Sequence, residues 1–198
     1  MISLSKAGPD GNDGSLIDMD LVVRAGEGWA VAISTLVNAE LTRHDWAALS
    51  CMCGHSAEHL PVMFETLLTP ELPRSALGYS LHGHVEYGTV IGECTLPAVS
   101  VMLAALVGEV AARARTEFLQ ALASVAAGSG YDNEAPSRNE YRDRIQEGFW
   151  AVVHSGLTGS ADDADMAADI CEILTLGDEK SAYYQALLRN RARAMRKR

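Results

Sequence analysis

The residues best suited to chemistry lie within nine positions, in Cys51-x-Cys53-x-His55-x3-His59. Thiolate and imidazole are the donors that hold zinc tetrahedrally, so Cys51, Cys53, His55 and His59 form a candidate ligand set. The spacing speaks against it. The periodicity predicts a helix over 40–53, and two positions along a helix turn a side chain through about 200°, so Cys51 and Cys53 diverge. Common zinc spacings also leave two or more residues between cysteines. On these grounds the cysteines are expected to be small buried side chains beside turn histidines, and no metal or cofactor is assigned.

A second group sits further on. His82 and His84 flank Gly83, with Glu86 and Glu93 close behind. Two imidazoles and two carboxylates suit a metal or general acid–base work, and a metal-dependent enzyme would need either this turn or the Cys51–His59 cluster to bind metal. The competing reading is favourable placement of His82, His84 and His154 near helix C-termini. The sequence has no Gly-x-Ser-x-Gly, no phosphate-cradling glycine loop with lysine, and no His-Glu-x-x-His. No catalytic residue is assigned.

A third feature is charge. Asp162, Asp163, Asp165 and Asp169 cluster at a predicted helix start, Asp178 and Glu179 follow the next break, and Asp132 and Glu134 sit one hairpin earlier. In stacked hairpins these starts align, so Asp132, Glu134, Asp162, Asp163, Asp165, Asp178 and Glu179 make a candidate acidic edge for a basic protein partner. The competing reading is a solvated edge with dipole capping. The chain carries −10, and the terminal run RNRARAMRKR (189–198) holds six cations and no acid, which leaves −16 on the rest. That body repels phosphate backbones, so its main surface is not expected to bind nucleic acid.

These groups must be positioned by helices. Aromatics are only 6% of 198 residues, and alanine and leucine are abundant, which suits helix-on-helix packing. Residues 1–14 read as a disordered leader. Residues 15–39 are ambiguous between a hairpin and helices, with helix preferred. Ser56 reads as the N-cap of a helix over 57–69, with Pro61 in its first turn. A short helix over 74–83 carries Leu77 and Leu81. A glycine-punctuated turn follows, and then a helix whose stripe is Val99, Met102, Leu103 and Leu106.

Further helices are predicted over 109–127 (Ala111, Ala114, Phe118, Leu122, Val125), 138–155 (Tyr141, Ile145, Phe149, Val152, Val153), 160–176 and 178–195. The segment 128–137 reads as a polar loop. Short breaks force antiparallel neighbours, and hairpins of roughly 35–45 residues are the signature of an α-solenoid. The expected architecture is all-α, one repeat domain over 15–198. A compact helical bundle is the alternative.

The stretch DWAALSCMCGHSAEHLPVMFETLLTPELPRSALGYSLHGHVEYGTVIGECTLPAVSVMLAAL resembles bacterial, often actinobacterial, HEAT-repeat-like proteins. Trp46, Gly54, Ala57, Leu77, Gly88, Thr89, Val90, Pro97 and Ala98 sit where that pattern places them. YRDRIQEGFWAVVHSGL and MAADICEILTLGDEK resemble its second half, so the likeness spans roughly residues 45–190. Glu86-Tyr87-Gly88 stands where the family tends to have His-Gln-Gly. The resemblance implies a superhelix that binds macromolecules, and some helical-repeat relatives neutralise toxins as immunity proteins. The functional expectation is therefore a protein-interaction module, an inhibitor or immunity protein facing a basic toxin or enzyme. The alternatives are a structural subunit of an assembly and the metal-dependent enzyme. No signal peptide and no apolar run of about 20 residues is seen, so a cytoplasmic protein with reduced thiols and no membrane partner is expected.

Overall fold

A computed structural model describes residues 34–69, 80–88, 90–130, 138–174 and 179–197, all within the unit Val31–Arg198. Among them are eight α-helices and three two-residue strands. The leader 1–14, residues 15–33 of the ambiguous stretch, most of the predicted helix 74–83 and residues 131–137 of the polar loop lie outside the described residues.

The predicted helix over 40–53 is instead a short helix α1 (Thr35–Thr42) followed by a separate 3₁₀ turn at Trp46–Ala48. Ser34 caps α1 by accepting the Val37 amide at 3.3 Å. At the other end the Trp46 indole N–H donates to the Leu41 carbonyl at 2.7 Å, which stops the helix by taking one of its orphan acceptors. The chain then turns back on itself, with Ser50 bridged to Ser56. Cys51 and Cys53 are therefore in a turn, where the helical 100° per residue does not apply.

Helix α2 (Leu60–Leu68) follows a 3₁₀ turn at Ala57–His59, with Pro61 in its first turn as expected. Leu60, Met63, Phe64 and Leu67 are buried at i, i+3, i+4 and i+7. The glycine-punctuated segment forms a small hairpin, β1 (Glu86–Tyr87) antiparallel to β2 (Val90–Ile91), and β3 (Ser129–Gly130) joins β2 in parallel. Helix α3 (Thr95–Leu106) is buried almost all round, well beyond the one stripe expected. Thr95 anchors it, accepting the Gly92 amide at 2.9 Å and donating to the Val85 carbonyl at 2.7 Å.

Helix α4 (Ala112–Ala127) buries Ala114, Phe118, Leu122 and Val125 of the predicted face, while Ala111 precedes the helix at its N-cap and is half-buried. The single helix expected over 138–155 is two, α5 (Arg138–Glu147) and α6 (Phe149–Thr158), broken at Gly148. Leu103 of α3 lies so close there that a Cβ on Gly148 would be 2.4 Å from its Cδ2. Only glycine allows that approach, and the chain bends around it. Helices α7 (Ala161–Leu174) and α8 (Glu179–Arg196) complete the fold, and α7 packs against α4, α6 and α8. No helix among the described residues is long and apolar enough to cross a membrane.

The start of α7 is a reciprocal capping box. The Asp163 amide donates to Ser160 Oγ at 3.1 Å, and the Ser160 amide donates to Asp163 Oδ2 at 2.8 Å. The other carboxylate oxygen accepts Thr116 Oγ1 of α4 at 2.7 Å, and Asp163 is only 1% exposed. Asp163→Ala removes the carboxylate half of the box, which leaves the Ser160 amide without its acceptor, and strands the Thr116 hydroxyl. We expect it to lower unfolding free energy by about 2 kcal/mol. Urea unfolding followed by circular dichroism checks this, and a loss under about 0.5 kcal/mol would contradict the pairing.

Candidate metal centre

Two turns build the site. The first, after Leu49, is held by the Cys51 amide on the His55 carbonyl (2.8 Å), the Gly54 amide on the Cys51 carbonyl (3.0 Å) and the Ala57 amide on the Leu49 carbonyl (2.9 Å). The second closes through the His84 and Val85 amides on the Leu81 carbonyl (3.1 and 2.9 Å). Gly54 and Gly83 have φ of +84° and +83°, left-handed geometry that a side chain disfavours. The Met52 amide donates to the His84 carbonyl at 3.1 Å and joins the turns. A second tether is Glu93, whose carboxylate accepts the Ser50 amide and hydroxyl at 3.0 and 2.6 Å. The Ser50 hydroxyl and amide hold the Glu93 carboxyl below its usual range.

Joined in this way, the turns bring Cys51, Cys53, His59 and His84 together, with every pair of ligand atoms within 4.8 Å. Cys51 Sγ is 3.6 Å from both His59 Nε2 and His84 Nδ1, Cys53 Sγ is 4.0 Å from His59 Nε2, and the two imidazole nitrogens are 2.9 Å apart. A tetrahedral zinc with standard bond lengths gives ligand separations of about 3.6 Å for S to N, about 3.3 Å for N to N and about 3.8 Å for S to S. Both Cys51 distances match. The Cys53–His59 and His59–His84 distances differ by about 0.4 Å, and the two remaining pairs, both involving Cys53, lie within 4.8 Å, so Cys53 is the ligand that must rotate most to close the tetrahedron.

The surroundings prepare the ligands. His59 Nδ1 lies 3.0 Å from the Ser56 carbonyl, so Nδ1 carries the proton and Nε2 presents a lone pair to the centre. Burial, and then the neighbouring His59 imidazole, lower the His84 pKa, which favours the neutral ring that a cation needs. Burial pushes the Cys51 thiol up to about 11 and the Cys94 thiol up to about 12. A bound cation would reverse that for a ligating sulfur by supplying the charge that a thiolate needs.

The arrangement departs from both groups seen in the sequence. His55 is exposed and does not join the two cysteines; His84, 25 residues beyond His59, takes that place. The divergence expected of Cys51 and Cys53 does not occur, because the turn replaces the helix. His82 faces away from this set. Its Nδ1 contacts Glu86 Oε1 at 3.0 Å and its ring stacks on Tyr87 with centroids 5.4 Å apart. Sequence reasoning missed the pairing of His84 with the cysteines and that of Glu93 with Ser50. Neither carries a short-spacing signal.

Compared with known protein families, curated proteins and solved structures, the chain matches none.

Among the described residues of the acidic edge, the acids at the start of α7 are paired from within. Asp163 is buried in its capping box. Arg196 pairs with Asp162 at 2.7 Å and Asp165 at 2.5 Å. Arg189 pairs with Asp165 at 3.3 Å, with Asp169, and with Glu172 at 3.6 Å. The basic terminal run thus returns along α8 to neutralise α7. Glu179 is exposed at the start of α8, while Asp132, Glu134 and Asp178 lie outside the described residues.

Proposed function

We propose that this chain is a helical protein-interaction scaffold stapled by one structural zinc ion on Cys51, Cys53, His59 and His84. The observation that carries the metal is the convergence of these four donors from two turns, with both Cys51-to-imidazole separations those of a zinc tetrahedron. A set of two thiolates and two imidazoles is complete at four. It leaves no position for water or substrate, which favours a structural ion over a catalytic one. The ion would cross-link the 51–59 turn to the hairpin that feeds α3, and so fix the entry to the most buried helix.

The test is metal content. Purified full-length chain, dialysed in reducing metal-free buffer, is expected to retain one equivalent of zinc by mass spectrometry. Cobalt substitution is expected to give tetrahedral d–d bands with sulfur-to-cobalt charge transfer. Protein with no retained zinc and no cobalt spectrum would end this reading.

The interaction half has separate support in the exposed aromatics Trp150 and Tyr183 around Tyr184, residue types that anchor interfaces. A HEAT-like superhelix, the architecture that the resemblance implies, belongs to this proposal. Supporting it are short connections such as 159–160 between α6 and α7, and the packing of α7 on α6 and α8, its neighbours in sequence. An inhibitor or immunity role through the acidic edge has less behind it, because Arg189 and Arg196 already hold Asp162, Asp165 and Asp169.

A further inference from the structure

A third thiol lies against the centre without belonging to the four. Cys94, at the start of α3, is fully buried. Its Sγ donates to the His84 carbonyl at 3.4 Å, and Cys51 Sγ donates to the same oxygen at 3.3 Å. The two thiols thus meet on one carbonyl oxygen. Cys51 is therefore shared, a ligand on one side and the neighbour of a reserve thiol on the other. All four cysteines of the chain are unbridged. Cys53 is half-buried and opens the centre toward solvent, whereas Cys94 sits behind it.

From this juxtaposition we infer that the centre is redox-gated: a peroxide oxidant converts Cys51 and Cys94 to a disulfide and releases the metal. The inference rests on the zinc reading above. The Cys51 thiolate attacks one peroxide oxygen, an S–O bond forms, the O–O bond breaks and water leaves after taking up a proton. The Cys94 thiol then attacks the Cys51 sulfenic sulfur. An S–S bond forms, and the hydroxyl departs as water with the Cys94 proton. Overall two thiols lose two electrons and peroxide becomes two waters. Cys51 can no longer donate a thiolate, and Cys53, His59 and His84 are left as a three-ligand site. A thiol reductant reverses the disulfide and restores the fourth ligand.

The alternative partner for Cys51 is Cys53, two residues away. A disulfide there closes a ring over a single intervening residue, whereas Cys94 approaches from a separate element with its thiol on the same His84 carbonyl as that of Cys51. Cys94 is thus given a role distinct from that of a buried space-filler.

The experiment uses the zinc-loaded full chain with excess hydrogen peroxide and a chromogenic chelator. The expected result is release of one equivalent of zinc, a Cys51–Cys94 cross-linked peptide by mass spectrometry, and recovery of zinc binding after thiol reductant. C94S is expected to hold one equivalent in reductant yet release it several-fold more slowly under peroxide. A mapped Cys51–Cys53 bridge, release without any disulfide, or C94S release as fast as the parent would overturn the inference. Loss of zinc from C94S in reductant would make Cys94 a ligand and overturn it as well. If the parent holds no zinc in reductant, the fault lies with the metal reading; if it holds zinc but forms no Cys51–Cys94 bridge, the redox gate alone fails.

Discussion

His84→Ala is expected to abolish zinc retention and, with it, the whole metal-dependent part of the protein's stability. His84 is the ligand from the second turn; Cys51, Cys53 and His59 all come from the first. Without it an ion no longer cross-links the two segments, and its binding no longer reports their docking. A ligand that binds only the folded state stabilises it by about 4 kcal/mol at a thousand times its dissociation constant. For a chain of this size that is a shift of about 8–16 °C in Tm. Zinc should therefore raise the midpoint of the parent and leave that of His84→Ala unmoved, with both measured in reductant. His82→Ala is the matched control. His82 is exposed and engaged with Glu86 and Tyr87, so this variant should keep the zinc-dependent shift. A shift retained in His84→Ala would remove His84 from the ligand set.

Phe118→Ala is expected to cost about 3–5 kcal/mol, the range for deleting a fully buried aromatic ring. Phe118 on α4 is fully buried and packs on Phe64 of α2, with centroids 6.0 Å apart; Phe64 in turn meets Trp46 at 6.4 Å. This aromatic chain connects the 3₁₀ turn after α1 through α2 to α4. The cavity left at its inner end faces elements fixed on either side, so collapse around it is limited. Urea unfolding of both proteins at saturating zinc would measure the loss. A cost below about 1 kcal/mol would mean that the site refills and that the three rings do not form a continuous packed unit.

How much of this was legible beforehand differs by element. The inner face of α4, Ala114, Phe118, Leu122 and Val125, follows from its 3.6 period alone, since a helix with one solvated face must bury the opposite stripe. The proline start of α2 and the acidic start of α7 follow from cap chemistry, which is local. The need for glycine at the break does not, because the side chain that crowds position 148 is Leu103 from another helix. The early end of α1 was hidden for a related reason. The period continues through His44 and Ala48, but the Trp46 indole takes the Leu41 carbonyl and the chain leaves the helix.

The ligand set shows where local reasoning stops. Sequence by itself determined the all-α class, the principal buried faces and the presence of sulfur and imidazole donors in two short stretches, because periodicity, caps and composition are properties of neighbours along the chain. Only the tertiary structure decided that Cys51 and Cys53 converge, that His84 and not His55 stands with them, and that Arg189 and Arg196 cover the acids of α7. Each of these depends on hydrogen bonds or ion pairs between residues distant in sequence, such as the Met52 amide on the His84 carbonyl, and on turns that replace a helix where the period alone predicted one.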